Sequence, residues 1–539
     1  MRIIQKIQES GSFLPMHAII ILIICLFSFH TYFFSNYVTD DAYISFRYLE
    51  NLKEGKGLVY NPGEKVWGFT NFLWIMFLFP LTEMNIDPLL GARIIGVICN
   101  VLSLFLVLFG FGSLMKYGTR NILGSLFLVT HGAFLLQSMS GLETSFFTLL
   151  VLYALYILGK AINKKSPRLF FFLGLIMALA TLTRPEGLFL SGLLIGHVMI
   201  SPKSVGLPLK LIMKRYLIGF LPVILAFVGS MFLYYGTFWP NSINAKVGFS
   251  SEQLFRGIRY FVVFAMYNPL SIILLLMTCL FFKSANALVR TVFLFILFFM
   301  VFNIFVGGDW MDGYRLFHTA IPLACLLIPF CMAVMQKKIL RSKMRMAPVS
   351  KILAVSLIVI FSAINLLNSR LDPHVYRATV DSYVHEGIKI GKWMRENFKS
   401  DSLLATNTGG TIAYFSKLQI VDMMGINDTV IANRQNVPKE WKGIEKGDGK
   451  YVLSRRPDYI QFGSSTGSIE PYFLSDIEIF ESEDFWKNYD LVAYSIDKKI
   501  KLLIYERREK EKKIKLSKER LRKIKNIVNR RMRRSAYRY

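Results

Sequence analysis

The sequence predicts an α-helical polytopic membrane protein of about eleven transmembrane helices, carrying a C-terminal, non-cytoplasmic α/β domain. Three observations predict it. Of 539 residues, 53% are hydrophobic and only 19% charged, and the mean hydropathy is +0.42, above what a water-soluble domain carries. The apolar residues fall in runs long enough to approach a bilayer span, separated by short polar stretches. After about residue 370 these runs stop, and a polar region punctuated by Gly takes over.

The first run, about 13 to 34, is too long for a signal-peptide core, and no small-residue cleavage site precedes Asp40, so it reads as the first span. Its basic flank, Arg2 and Lys6, stays in the cytoplasm and the acidic pair Asp40-Asp41 emerges outside. Further spans are predicted at about 90–115, 121–138, 142–160, 168–183, 187–201, 216–236, 260–282, 288–306, 316–336 and 350–368. The apolar stretch 69–81 (FTNFLWIMFLFPL) is about half a bilayer long, and charge decides its role. If it does not span, Lys116/Arg120, Lys160/Lys164/Lys165/Arg168, Lys203/Lys210/Lys214/Arg215, Lys283/Arg290 and the cluster from Lys337 to Lys351 all fall on the cytoplasmic side. If it spans, all of them invert, against the positive-inside rule. It is therefore assigned as a half-helix within a first outer loop, 35–89.

The division that follows is a transmembrane region over 1–369, an extracytoplasmic α/β domain over 370–505 and a basic tail over 506–539. Within the domain, 381–397 has apolar residues at helical spacing, and 402–406, 419–422 and 458–461 read as short strands. Asn407-Thr408-Gly409-Gly410 is a turn signal, and no GxGxxG follows a strand, so nucleotide binding is not indicated. The net charge of +28 suggests nucleic acid at first sight, but sixteen Lys or Arg against four acids after Tyr505 supply twelve of it. Such a tail, with no aromatic platform, reads as solvated or touching lipid headgroups; the expected partners are membrane lipids and not nucleic acid. The five cysteines all lie in apolar segments, without the spacing of a disulfide framework or a metal-thiolate site.

This topology gathers the chemically able residues on the outer face: Asp40/Asp41, Ser140 to Thr144, Arg184 to Gly187, Trp239 to Lys246, Gly307 to Trp310 with Asp312 and Arg315, and everything after about 368. Taken alone, Asp40-Asp41 could be a helix cap with a surface acid beside it. Glu143 and Glu186, next to Gly or Pro at helix starts, could complement a helix dipole. Trp67, Trp74, Trp239 and Trp310 suit an interfacial aromatic belt.

The motifs together resemble a known family. The runs DDAYISFRYLENLKEGKGLVYNPGEKVWGFTNFLW (40–74), SGLETSFF (140–147), LTRPEG (182–187), PNSINAKVG (240–248), GGDWMDGYRLF (307–317) and VDMMGINDTVIA (421–432) are similar to those of the GT-C membrane glycosyltransferases. Among these the chain resembles the mycobacterial terminal arabinofuranosyltransferases and their uncharacterised bacterial relatives. Trp67 stands where relatives often carry Glu, and the basic tail is peculiar to this chain.

The resemblance implies an inverting glycosyltransferase of the bacterial cytoplasmic (inner) membrane, with a polyprenyl-phosphate sugar donor and a glycan or glycolipid acceptor on the periplasmic or outer side. It implies Asp40 as catalytic base and Asp41 as a residue orienting base or acceptor. The departing phosphate calls for cations, for which Arg184, Lys246, Arg315 and Arg47 are the candidates. Glu143, Glu186, Asp309 and Trp310 are the candidates for holding the acceptor or sugar. No cofactor is required; a divalent cation, Mg or Mn, at the adjacent carboxylates is compatible with the sequence. A flippase or transporter of lipid-linked glycan is the alternative, but it should show ionisable groups near mid-membrane and broken helices in paired halves. An O-antigen type polymerase or ligase should carry its large outer loop late in the chain, whereas here the long loop comes first.

Overall fold

The structure is a computed structural model and describes residues 16–115, 120–200, 205–341, 347–438, 441, 443, 445–509 and 518–534. Arg2, Lys6, Lys116, Lys203 and the cations at 342–346 lie outside the described residues, so the charge clusters drawn through them are described only in part.

All eleven predicted spans are helical over most of their length. They correspond to helices Met16–Phe33, Pro88–Leu114, Arg120–Val129 with Gly132–Leu136, Thr144–Lys164, Pro167–Thr183, Glu186–Ile200, Leu209–Tyr235, Ser251–Tyr267 with Pro269–Leu280, Ala287–Val306, Ala320–Arg341 and Ala347–Leu371. Among the described residues, five helices are long and apolar enough to cross a membrane, six if the bent pair after Ser251 counts as one span. The protein is a multi-pass membrane protein. The segment expected to be a half-helix is the helix Phe72–Glu83, 12 residues long.

Two expected spans are not single rods. The one placed at 121–138 breaks after Val129, where the Thr130 hydroxyl donates back to the carbonyls of Leu126 and Phe127, at 3.2 and 2.9 Å. That local bonding competes with the helix ladder. The one placed at 260–282 bends by 98° between Ser251–Tyr267 and Pro269–Leu280. Pro269 has no N–H to give and drives the preceding residue out of the helical region; Asn268 accordingly sits at φ −126°, ψ 50°.

The chain forms two compact units that do not follow chain order. The first comprises Met1–Tyr37, Ala92–Phe227 and Leu254–Val380; the second comprises Val38–Gly91, Val228–Gln253 and Asp381–Tyr539. A cut near residue 370 thus leaves the first outer loop and the stretch 228–253 on the wrong side. The reason is a set of buried polar contacts between that loop and residues 409–427, described below.

The first unit is built on helices, and its core is a large Leu, Phe, Ile and Val cluster including Phe134, Leu152, Val292 and Leu327. The second contains a five-stranded sheet in the order β2-β1-β3-β5-β4: β1 Leu403–Thr406, β2 Gln419–Asp422, β3 Tyr459–Gln461, β4 Tyr489–Ser495 and β5 Lys501–Arg507. The first three strands run parallel and β5 and β4 close the sheet as an antiparallel hairpin. The three strands expected from sequence are β1, β2 and β3, and the expected helix is Tyr383–Asn397. Ala405, Val421, Ile460, Ile477 and Tyr505 lie in the core of this unit.

The tail is more than a solvated arm. Helix Lys518–Arg534 places Ile524 and Val528, four residues apart and therefore on one face, into the core of the second unit. Arg530 and Arg531 meet the Glu470 carboxylate at 2.9 Å. The sequence reading weighed the charge of this segment and overlooked the apolar stripe beneath it.

Candidate functional site

Asp40 and Asp41 open the helix Asp40–Lys53, entered through an extended Thr39. Two carboxylates in a first turn complement the helix dipole, so the local sequence favours this start. The two have different surroundings. Asp40 is 6% exposed, and its carboxylate accepts from the Gly410 amide (3.0 Å), the Thr411 amide (2.8 Å) and the Thr411 hydroxyl (2.6 Å). Asp40 therefore caps the start of helix Thr411–Ser416 from across the unit. Burial pushes its proton affinity above the ordinary carboxylate value, while the three donors pull it back. Gly410 is dictated by this contact: a Cβ there would lie 2.0 Å from the Asp40 carbonyl oxygen. Asp41 is half-buried.

Successive helical positions point about 100° apart, so the adjacent carboxylates diverge instead of facing one another. Both oxygens of Asp40 are engaged by the 410–411 donors. The pair therefore does not form the two open, converging carboxylates expected to suit Mg or Mn. Among the described residues no three His, Cys, Asp or Glu side chains come together as a metal-binding group.

Arg47 does not suit the donor-phosphate role expected of it. Its Nε donates to the Tyr60 carbonyl (2.6 Å), and its Nη2 donates to Asn61 Oδ1 (3.0 Å) and the Leu418 carbonyl (2.7 Å). Its Nη1 donates to the Ala413 carbonyl. The guanidinium is buried and serves as a brace tying the first outer loop to the far end of the 411–416 helix. A rigid five-donor fork suits such a position, where several carbonyls need donors at once.

The other second-unit motifs converge on the same body. Tyr60 donates to the Gly409 carbonyl at 2.6 Å, and Tyr48 to the Val66 carbonyl at 2.7 Å and Asn427 Oδ1 at 3.1 Å. Gly68 is pressed so closely onto Asn427 and Tyr48 that a Cβ would lie 2.1 Å from Asn427 Oδ1. The Asn241 amide reaches the carbonyls of Gly425, Ile426 and Asp428 at 2.8 to 3.1 Å. Asp422 is buried, accepts from the Met424 and Asn427 amides, and is raised to about 6 by burial. Thr411, Gly410, Asn427 and Asn241 make these buried contacts and were not singled out from the sequence. Their only sequence signal was the Gly-Gly turn and the motifs containing them.

The remaining expected residues, except Lys246, belong to the first unit. Arg184 is buried between two carboxylates, with Nη1 2.8 Å from Glu143 Oε1 and Nη2 2.7 Å from Glu186 Oε1. This corrects two expectations. A cation enclosed by two acids makes a cluster of net negative charge, poorly suited to meet a phosphate, and the two glutamates are held by Arg184 instead of standing open for an acceptor. Asp309 takes Arg315 in a two-point grip, Nε–Oδ2 2.9 Å and Nη2–Oδ1 3.2 Å, and also accepts from the Met311 amide. Trp310, between them in sequence, is 44% exposed. Arg315 lies near enough to act electrostatically on Arg184 and Glu186, so SGLE, TRPEG and GGDW share one charged neighbourhood. Lys246, in the second unit, meets Glu445 at 3.0 Å and keeps nearly half its side chain in solvent.

No curated protein matches the chain by sequence. Residues 374–512 match a family model described as a domain of unknown function, DUF8728. By fold, the chain is similar to ArnT from Cupriavidus metallidurans bound to undecaprenyl phosphate, with 10% identity and a TM-score of 0.56 over 90% of this chain and 97% of that one. The fold is GT-C-like. The apo state of the same ArnT gives a TM-score of 0.54 at 10% identity over the same shares of the two chains. The Archaeoglobus fulgidus oligosaccharyltransferase, in complex with Zn and sulfate, is 10% identical with a TM-score of 0.48, over 81% of this chain and 67% of that one. Identity at this level establishes architecture and leaves the activity to be argued from residues.

Proposed function

We propose that this chain is an inverting glycosyltransferase that moves a sugar from a polyprenyl-phosphate donor to an envelope glycan or glycolipid. One observation carries the reading: a GT-C-like fold over 90% of the chain whose first loop opens on the pair Asp40-Asp41, with the Asp40 carboxylate held by the Gly410 and Thr411 donors. The undecaprenyl phosphate bound by ArnT supports a lipid-phosphate donor. The GT-C class is a class of glycosyltransferases, so the flippase alternative is not favoured.

Transfer from a phosphate-linked sugar passes through an oxocarbenium-like state, and the acceptor hydroxyl loses its proton as it attacks C1. A single carboxylate suffices for one inverting displacement. In this reading Asp41 takes the proton and Asp40 fixes the turn from which Asp41 projects, which exchanges the roles implied by family resemblance. A proton affinity raised by burial would suit a base, but a base must also be reached by the hydroxyl it deprotonates. Asp40 is 6% exposed with three donors on its oxygens, whereas Asp41 is half-buried. The phosphate leaves as an anion and needs fixed positive charge, for which Arg315, gripped by Asp309, is a better candidate than Arg184, which is buried between two carboxylates. Trp310 offers an exposed ring for stacking on a sugar face.

The sugar is a pentose or hexose; the arabinofuranosyl choice rests on motif likeness alone. The positive-inside pattern supports an orientation with the acid-bearing loop and the C-terminal domain on the outer side, and the family resemblance supports the bacterial cytoplasmic membrane. Comparing lipid-linked sugars in cells with and without the gene tests the reading. Loss of the gene should make one polyprenyl-phosphate sugar accumulate, and restoring the Asp41→Asn form should leave it accumulated. An unchanged lipid-sugar profile would contradict it.

A further inference from the structure

The second unit holds a cavity of about 420 Å³ away from the acidic pair in sequence, lined by Ile243, Asn244, Lys246, Val437, Arg434 and Lys446 among others. Three of these are cations. Lys246 is paired with Glu445 at 3.0 Å, and Arg434 with Glu478 at 2.7 Å. Lys446 donates to the Ala432 carbonyl at 2.8 Å and, among the described residues, has no carboxylate partner. Among the described residues, the lining thus carries one positive charge more than its partnered acids neutralise. A half-buried ammonium for which the described residues supply one carbonyl and no carboxylate is a site short of an anion.

The surroundings say which kind of anion. Ile243, Val247 and Val437 line the same cavity, and Phe238, Trp239 and Phe249 on the same chain stretch are 54%, 65% and 66% exposed. Three aliphatic side chains in the lining beside three cations, with exposed aromatic rings on the neighbouring chain stretch, fit a group with an anionic head and an apolar or sugar body better than a small, fully hydrated ion. The two lysines are fixed together, because Lys246 and Glu445 form an antiparallel bridge and the Lys446 amide donates to the Ala245 carbonyl at 2.8 Å.

We propose that Lys246, Arg434 and Lys446 form a binding site for a phosphate ester. It deepens the reading of Lys246 as a phosphate contact, adding two partners from the C-terminal region, and it rests on the glycosyltransferase reading only for why such an ester is at hand. The site binds whether or not a sugar is transferred, so the test reads binding.

The full chain in maltoside micelles is titrated calorimetrically with dodecyl phosphate and, separately, with inorganic phosphate. Saturable binding of dodecyl phosphate is expected, weakened about tenfold by Lys446→Gln and by Lys246→Gln, the loss expected for one charge-assisted hydrogen bond. Lys450→Gln, which removes the same charge outside the cavity, should leave it unchanged. Tighter binding of dodecyl phosphate than of inorganic phosphate supports a phosphate ester with an apolar body; equal affinities overturn the ester assignment and leave a site for free phosphate only. No saturable binding of either probe, or an equal loss in Lys450→Gln, overturns the proposal. An inactive protein that still binds leaves this site standing and counts against transfer, whereas an active protein whose Lys446→Gln form binds normally overturns this site alone.

Discussion

Asp41→Asn should lower the rate of sugar transfer by about 10² to 10⁴, the usual worth of a general base, while leaving folding and donor binding near normal. Asn keeps the size and much of the hydrogen bonding of the acid but cannot take a proton. Asp40→Asn should behave differently. Its carboxylate holds the Gly410 and Thr411 amides and the Thr411 hydroxyl, so an amide in its place sets one N–H against these donors and loosens the turn. The expected result is a lower unfolding temperature with a smaller, partial loss of rate, reproduced in kind by Thr411→Val, which removes only the hydroxyl donor. Steady-state rates and thermal unfolding of the three purified variants separate the roles. A dead Asp40→Asn enzyme of normal stability beside an active Asp41→Asn would return the base to Asp40.

The second large effect is expected at Arg184. Arg184→Ala leaves Glu143 and Glu186, each 6% exposed, without the cation between them. Breaking such a buried pair by removing one partner costs about 3–5 kcal/mol, because the remaining charge stays desolvated. The variant should therefore lose folded yield and unfold at lower temperature before any question of donor affinity arises. Replacing all three residues at once, Arg184→Met with Glu143→Gln and Glu186→Gln, should recover much of the stability, since no uncompensated charge remains. If Arg184→Ala unfolds at the original temperature and only donor affinity falls, the cation binds phosphate and the structural reading of the triad fails.

These two predictions also mark what a single sequence reveals. The helices were legible because long apolar runs have few other outcomes in a chain of this composition, and the short helix at 72–83 was legible from an apolar run about half a bilayer long. The strands β1 to β3 were legible from short β-branched and aliphatic runs bounded by polar residues and turns. The bend at 268–269 was signalled by Pro269, but the count of apolar residues carried the stretch through it.

What stayed hidden was long-range pairing. Asp40 and its donors are 370 and 371 residues apart, and Arg47 and the carbonyls of Ala413 and Leu418 are 366 and 371 apart. No periodicity or propensity encodes which distant carbonyl an arginine will meet. For the same reason Arg47 looked like an available cation until its partners were seen, while Arg184 has one partner, Glu186, two residues away and another, Glu143, 41 away. The structure shows Asp40, Arg47 and Arg184 engaged by buried partners that the sequence did not reveal.

The most direct test of the central claim is turnover in proteoliposomes of the purified chain, using a polyprenyl-phosphate sugar labelled in the sugar and a glycan acceptor extracted from the envelope. The account predicts that label moves to the acceptor with inversion at C1 and with release of one polyprenyl phosphate per sugar moved, and that the Asp41→Asn protein does neither. Donor that stays intact across a set of pentosyl and hexosyl lipids, or label that crosses the bilayer without leaving its lipid, would contradict it.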